Sequence, residues 1–259
     1  MVTISFCVPK GGTGKTTLTA ITAAGLINRG FRVLLVDIDP QGNLTAQMVN
    51  TPVKNNLADV LTARKSCSDV IKETALQNCF ILPATAELAG KDVLSGRGFE
   101  YALKNALKGV FTRFDFCLID CPPTIGKHVI TASTAADLIV SPLKADRFSI
   151  SAVSAVSEMA NTIKAHTNPD LKGVCALVNQ YNGRTIINQL ALEQISIKCK
   201  ESNVHLFETA IRRSVALEEA QFDIASFFEN KRNSGVQDCA SFIQEIIKFK
   251  KEVLDYYGQ

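Results

Sequence analysis

The sequence predicts a doubly wound α/β fold, a mostly parallel sheet with helices on both faces. Three observations carry it: short β-rich apolar runs recur along the chain, helical blocks with apolar residues at three- and four-residue spacing fall between them, and no linker-like stretch breaks the alternation. The 259 residues are 46% apolar and 20% charged, which leaves ample chain for a core and excludes disordered and collagen-like classes. Residues 1–259 therefore read as a single domain.

Taken in order, the first strand is VTISFCV from Val2, followed by a helix over Lys15 to Asn28 and a strand RVLLVDID from Arg32. A weakly patterned loop near Thr51 to Asn56 precedes a helix over Phe99 to Lys108 and the strand FDFCLID from Phe114. Lys127 to Asp137 reads as a helix packed on the sheet. DLIVSPL from Asp137, a helix over Ile150 to Lys164, GVCALVN from Gly173 and a helix over Arg184 to Lys200 continue the alternation, and a helix from Ser234 to Tyr256 ends it. There is no internal repeat.

A net charge of +3 confines any nucleic-acid site to a local patch. Eight cysteines lie scattered without a C-x-x-C pair and without a secretory leader, a pattern expected of a reduced, cytoplasmic protein. No run approaches the roughly 18 apolar residues of a membrane span. His128, His166 and His205 lack the spacing of a zinc site or a hydrolytic triad and read as structural or surface groups.

Directly after the first strand comes PKGGTGKTT, Pro9 to Thr17, and then a helix, the context a phosphate cradle requires. Gly11, Gly12 and Gly14 let the backbone turn its N–H groups toward one point, with Thr13 between them, and the helix N-terminus adds its positive end. Lys15 would reach the β- and γ-phosphates and Thr16, followed by Thr17, would offer its hydroxyl to Mg²⁺. The usual pattern places Gly where this chain has Pro9, and a second lysine, Lys10, opens the loop.

That deviant K-G-G-x-G-K-T-T form of the P-loop NTPase motif resembles the ParA/MinD family of ATPases, closest to the ParA/Soj partition branch. The resemblance implies ATP and Mg²⁺ as ligands, and it implies that Lys10 reaches across a two-fold dimer to the partner's nucleotide. DIDPQGN, Asp37 to Asn43, puts two carboxylates at the C-terminal edge of the sheet, where α/β ligands bind. By resemblance, Asp39 positions water, Asp37 lies near the metal, and the loop to Thr45 is a nucleotide-sensing switch. FDFCLID followed by CPP has the form of a Walker B strand, with Asp120 holding a Mg²⁺-bound water; the adjoining Cys121 reads as a small buried thiol rather than a cluster ligand.

In the second half, NQYNGRT, Asn179 to Thr185, is similar to the Soj-type segment, which makes Asn179 a candidate contact for adenine. ETAIRRSVALEEA from Glu208 resembles a family stretch involved in DNA binding. Arg184 and Arg213 then fall on the positions of DNA contacts, although Arg212 stands where the family has Pro and Ala216 where it often has Arg. The last helix carries Phe242, Ile246, Phe249, Val253 and Tyr257 on one face, expected to pack on the core.

The resemblance, from Val2 to about Ala220, thus implies an ATPase that dimerises on ATP, binds DNA non-specifically on the nucleoid, and is released by slow hydrolysis that a ParB-like centromere-binding partner quickens. No stable membrane association is expected. A phosphate loop so near residue 10 leaves no room for a preceding helix-turn-helix domain, so operator binding is not expected. The alternatives are a MinD-like ATPase positioned on a membrane surface and a ParA-like ATPase that positions a protein cargo.

Overall fold

The computed structural model describes the backbone of residues 1–257 and the side chains of residues 1–252. In chain order the elements are β1 (Val2–Phe6), α1 (Lys15–Ile27), β2 (Val33–Asp37), α2 (Asn43–Met48), α3 (Leu57–Leu61), α4 (Cys67–Val70), β3 (Lys72–Glu73), β4 (Cys79–Leu82), α5 (Ala102–Leu107), β5 (Phe116–Asp120), α6 (Lys127–Ala135), β6 (Leu138–Lys144), α7 (Phe148–His166), β7 (Gly173–Asn179), α8 (Ile186–Glu201), β8 (His205–Leu206), α9 (Val215–Glu219) and α10 (Ser234–Tyr257). All eight strands form one sheet in the order β3-β4-β2-β5-β1-β6-β7-β8. Every pairing is parallel except the two-residue edge strand β3.

Side chains of a strand alternate between faces, and the two cores follow that period. Leu34 and Val36 of β2 with Cys117 and Ile119 of β5 face one side, under helices α3 to α8. Val33, Leu35, Phe116 and Leu118 face the other, under α1, α2, α9 and α10. β1, β2 and β5 are buried at every position, which is why they are mostly apolar, with Thr3 and Ser5 the polar residues inside β1 and the carboxylates Asp37 and Asp120 kept for the strand ends. Each fully buried Leu, Ile or Phe contributes about 1.5–3 kcal/mol by leaving water.

α10 crosses α1 on the second face. Its Phe242 and Ile246 are buried and Phe249 is partly buried against the same core, as the sequence pattern predicts; Ile243 is buried as well, while the side chains of Val253 and Tyr257 lie outside the described residues. Gly25 of α1 is required at this crossing, since a Cβ there would run into Ile243 Cδ1 and come within 2.9 Å of Phe228. No described helix is long and apolar enough to cross a membrane. All eight cysteines are free and buried.

Parallel pairing brings the C-terminal ends of the central strands to one edge. The register sets Asp37, last in β2, beside Asp120, last in β5, and sets Asp120 beside Phe6, after which the glycine-rich loop begins. Residues more than 80 apart in sequence are thereby made neighbours.

Candidate functional site

The loop between β1 and α1 turns through two left-handed glycines, Gly12 at φ 69° and Gly14 at φ 92°, conformations that cost a side-chain-bearing residue about 1 kcal/mol or more. Gly14 caps α1, but the helix has no side-chain cap and no acidic residue in its first turn. Its first N–H groups and positive dipole end are therefore left for an anion. Lys15 is almost fully buried beside them and its Nζ donates to the Lys10 carbonyl at 3.1 Å. Burial lowers its pKa, and the nearby Asp120 carboxylate works against that shift.

Thr16 and Asp120 form a pair: the threonine hydroxyl donates to Asp120 Oδ2 at 2.7 Å. The other oxygen, Asp120 Oδ1, is buried and has no partner among the described residues. Burial pushes this carboxyl far above the usual carboxylate range, and the adjacent Asp37 pushes it further. Asp37 is likewise raised, to about 6, by burial, which hydrogen bonds from Thr45 offset only in part. Two buried carboxylates side by side with one vacant oxygen form an environment that a divalent cation relieves.

Asp37, expected near the metal, is engaged at both of its oxygens. Its Oδ2 accepts from both the backbone N–H and the hydroxyl of Thr45, each at 2.8 Å, and its Oδ1 from the Asp39 N–H at 3.2 Å. Thr45 Oγ1 in turn accepts from the Ala84 N–H at 2.8 Å. Asp37 therefore fastens the start of α2 to the end of β2. Asp39 lines the same cavity; its Oδ1 accepts from Gln41 N–H at 3.0 Å and its Oδ2 has no partner among the described residues.

These groups surround a cavity of about 700 Å³ walled by Gly11, Gly12, Gly14, Lys15, Thr16, Thr17, Asp39 and Cys121, together with Gln180 and Gln221. The Cys121 thiol is buried, and burial raises its pKa well above the ordinary value. A second cavity, of about 660 Å³, lies among α7, α8 and α10 at the opposite end of the strands, without a glycine-rich loop.

Lys10 lies folded on its own chain. Its Nζ donates to both oxygens of Asp146, at 2.6 and 2.9 Å, and sits 5.4 Å from the centroid of the Phe148 ring. Partial burial works to raise the Asp146 pKa, but the hydrogen bond and charge of Lys10 and the bonds from Ser149 bring it below the usual range. Asn179 ends β7, buried, with its amide donating to the Thr13 carbonyl at 2.8 Å and its Oδ1 unpartnered. One of its two amide hydrogens is thus given to the loop, while its Oδ1 is left without a partner among the described residues.

Arg184 and Arg213 are both exposed, on two loops that run together: Tyr181 N–H donates to Ile211 O at 3.0 Å and Arg213 N–H to Tyr181 O at 3.0 Å. Arg184 precedes α8, whose first residue is Ile186, instead of opening the helix. Arg213 lies 3.6 Å from Glu218, an exposed pair. Arg212 makes a bidentate bond to Asp238 of α10, both contacts at 2.7 Å, which accounts for an arginine at this position as an anchor of the loop. Phe148 at the start of α7 and Ile186, Ile187 and Leu190 in the first turns of α8 are also exposed. Of the histidines, His128 and His166 bond backbone carbonyls and His205 stacks edge-on against Phe207.

Residues 1–173 match a family model described as an AAA domain. The chain is 34% identical over 215 residues to the sporulation initiation inhibitor protein Soj of Bacillus subtilis, covering 82% of this chain and 84% of Soj. It is 28% identical over 244 residues to the chromosome partitioning protein ParA of Myxococcus xanthus, covering 92% and 85%. Among solved structures, cobyrinic acid a,c-diamide synthase of Mycobacterium smegmatis with bound ADP and magnesium superposes with a TM-score of 0.81 at 28% identity, covering 96% of this chain and 95% of that one. The cell division ATPase MinD of Pyrococcus furiosus superposes at 0.75 with 25% identity, covering 96% and 99%.

Proposed function

The chain belongs to the ParA/MinD family of P-loop ATPases, on its ParA/Soj side, and from that premise we propose that it is an ATP-dependent dimerising switch that binds DNA non-specifically and is released by slow hydrolysis. The observation that carries the reading is the vacant, buried Oδ1 of Asp120 next to the Thr16 hydroxyl, at the foot of an uncapped helix and beside Lys15. Those residues fit Mg²⁺, which keeps most of its waters and takes only one or two protein oxygens alongside phosphate. Bound there, Mg²⁺ supplies neutralisation of the charge that develops on the transferring phosphoryl group.

The chain's own groups divide the remaining work. Lys15 and the N–H groups of Gly11 to Thr17 hold the phosphates of ATP, with Lys15 directed to the β- and γ-positions. Thr16 and Asp120 hold the metal, and Asp37 adds a second negative charge while fixing α2, the switch segment. Asp39, at the cavity wall with an oxygen unengaged, orients the attacking water. The resemblance gives Asn179 the adenine side. Lys10 acts in the partner's site; its bond to Asp146 is a part-exposed ion pair, worth about 0–1 kcal/mol, and is readily exchanged for a partner's phosphates.

In the dimer, Arg184 and Arg213 of both subunits face DNA phosphate, and a ParB-like centromere-binding protein accelerates hydrolysis. Light scattering and phosphate release test this together: a dimer with Mg²⁺ and ATP, a monomer with ADP, and slow turnover are expected. Failure to bind ATP overturns the reading. The exposed group Phe148, Ile186, Ile187 and Leu190 favours one second reading, a MinD-type ATPase on a membrane surface, in which these side chains enter the lipid. ATP-dependent sedimentation with anionic liposomes, and none with DNA, is its result.

A further inference from the structure

A phosphate loop functions only if its peptide N–H groups point inward, and in a trans peptide the N–H points opposite to the C=O of the preceding residue. Whatever holds the carbonyls of Gly12 and Thr13 outward therefore aims the N–H groups of Thr13 and Gly14. In this protein two consecutive residues do the holding. Asn179 Nδ2 donates to Thr13 O at 2.8 Å and Gln180 Nε2 donates to Gly12 O at 3.2 Å. Among the described residues, neither the Thr13 nor the Gly14 N–H has an acceptor in the protein.

Consecutive residues of an extended strand point to opposite faces, so 179 and 180 would not both reach the same loop from a continuing β7. The chain solves this at Gln180, which has φ 58°, in the left-handed region that a non-glycine residue enters only at a cost. β7 ends at Asn179, and the left-handed turn follows at once. The turn is held from beyond by Tyr181, whose N–H donates to Ile211 O. Gly14 completes the fit, since a Cβ at this position would lie 2.5 Å from Asn179 Nδ2.

We infer that Asn179 and Gln180 are positioning residues of the phosphate loop: their two side-chain amides clamp the Gly12 and Thr13 carbonyls and so direct the loop's N–H groups at the triphosphate, whichever base it carries. The inference rests on the nucleotide reading of the site, but it assigns Asn179 to phosphate recognition, where the resemblance assigns it to adenine.

The two assignments separate by ligand. The affinities of wild type, Asn179→Ala and Gln180→Gly for ATP, GTP and inorganic tripolyphosphate, each with Mg²⁺, are measured by calorimetry, with thermal melting of the ligand-free proteins alongside. A clamp weakens all three ligands by the same factor in Asn179→Ala, about 5- to 10-fold for one lost hydrogen bond. In Gln180→Gly, glycine keeps the left-handed turn and relieves its strain, so the melting temperature holds or rises while tripolyphosphate affinity falls about 3-fold or more. A merely structural residue would not move stability and affinity in opposite directions. A loss confined to ATP in Asn179→Ala, or unchanged tripolyphosphate binding in Gln180→Gly, overturns the clamp and leaves the ATPase reading intact. Wild type that binds neither ATP nor tripolyphosphate overturns both.

Discussion

The nucleotide edge and the arginine-bearing loops lie side by side, yet they are built by opposite rules. At the edge the functional groups are buried and held by one another: Lys15 on the Lys10 carbonyl, Thr16 on Asp120, Asp37 on Thr45, Asn179 on Thr13. In the loops the candidate groups, Arg184 and Arg213, stand in solvent, their backbones fixed and the Arg213 side chain held only by an exposed pair with Glu218. Buried groups lose a pre-set geometry when one member is removed, whereas exposed charges act additively through a screened field. Substitutions should therefore have large, qualitatively distinct effects in the first region and small, graded ones in the second.

The largest effect belongs to Lys15→Ala. It removes the one buried cation of the cradle, and ATP affinity should fall by about 100-fold or more, as for loss of a charged hydrogen bond of about 3 kcal/mol. Calorimetric titration checks this; an affinity near that of wild type would place the triphosphate elsewhere. Asp39→Ala should bind ATP normally and slow hydrolysis about 100-fold, trapping the ATP dimer. Monomers of this variant in light scattering with ATP would remove Asp39 from the water-positioning role.

Lys10→Ala should keep ATP affinity within about 5-fold, since within its own chain the Lys10 side chain makes a part-exposed ion pair and a contact with the exposed Phe148 ring, and should lose the ATP dimer. Asp146→Asn, which frees that lysine, should shift dimerisation to lower protein concentration by a similarly small factor. Sedimentation of both variants gives the comparison, and equal behaviour would leave Lys10 a bystander.

The smallest effects are expected in the loops. Arg184→Ala and Arg213→Ala should each leave ATP dimerisation unchanged, weaken binding to all DNA sequences alike, and flatten the slope of log affinity against log salt by about 0.9 per contact, about 1.8 per dimer. A salt titration that leaves the slope unchanged would move the DNA face away from these residues. If either arginine instead abolished dimerisation, the contrast between the two regions would itself fail.

How far each region was legible in the sequence has the same physical root. The central strands announce themselves because burial on both faces makes them predominantly apolar, and the glycine-rich loop because a phosphate cradle tolerates few residue types. β3 and β8, two residues each, are too short to show a period, and β4, Cys79–Leu82, is a four-residue apolar run that passed unassigned beside them. The same holds for α2, α3 and α4, of four to six residues. The signal that would have found two of them is capping: Asn56 with Asp59 and Ser66 with Asp69 form capping boxes. Asp146 belongs to no motif, and the NQYNGRT segment that contains Gln180 gives that residue no role. Asp146 meets Lys10 across 136 positions and Gln180 meets Gly12 across 168, contacts that parallel pairing creates and local sequence does not encode.

The eight cysteines, spread from β1 to α10 and all sequestered, make this protein its own recorder of breathing. A thiol reagent reaches each sulfur only when the segment over it opens, and burial also holds most of these groups in the unreactive protonated form, Cys7 near 12 and Cys199 near 11. Cys7 follows the first central strand and leads into the phosphate loop, Cys121 lines the cavity, Cys199 closes the end of α8 and Cys239 sits buried within α10. The order in which they modify is thus a map of local opening free energies, with the nucleotide edge and the outer helices read in the same experiment and without a single introduced label.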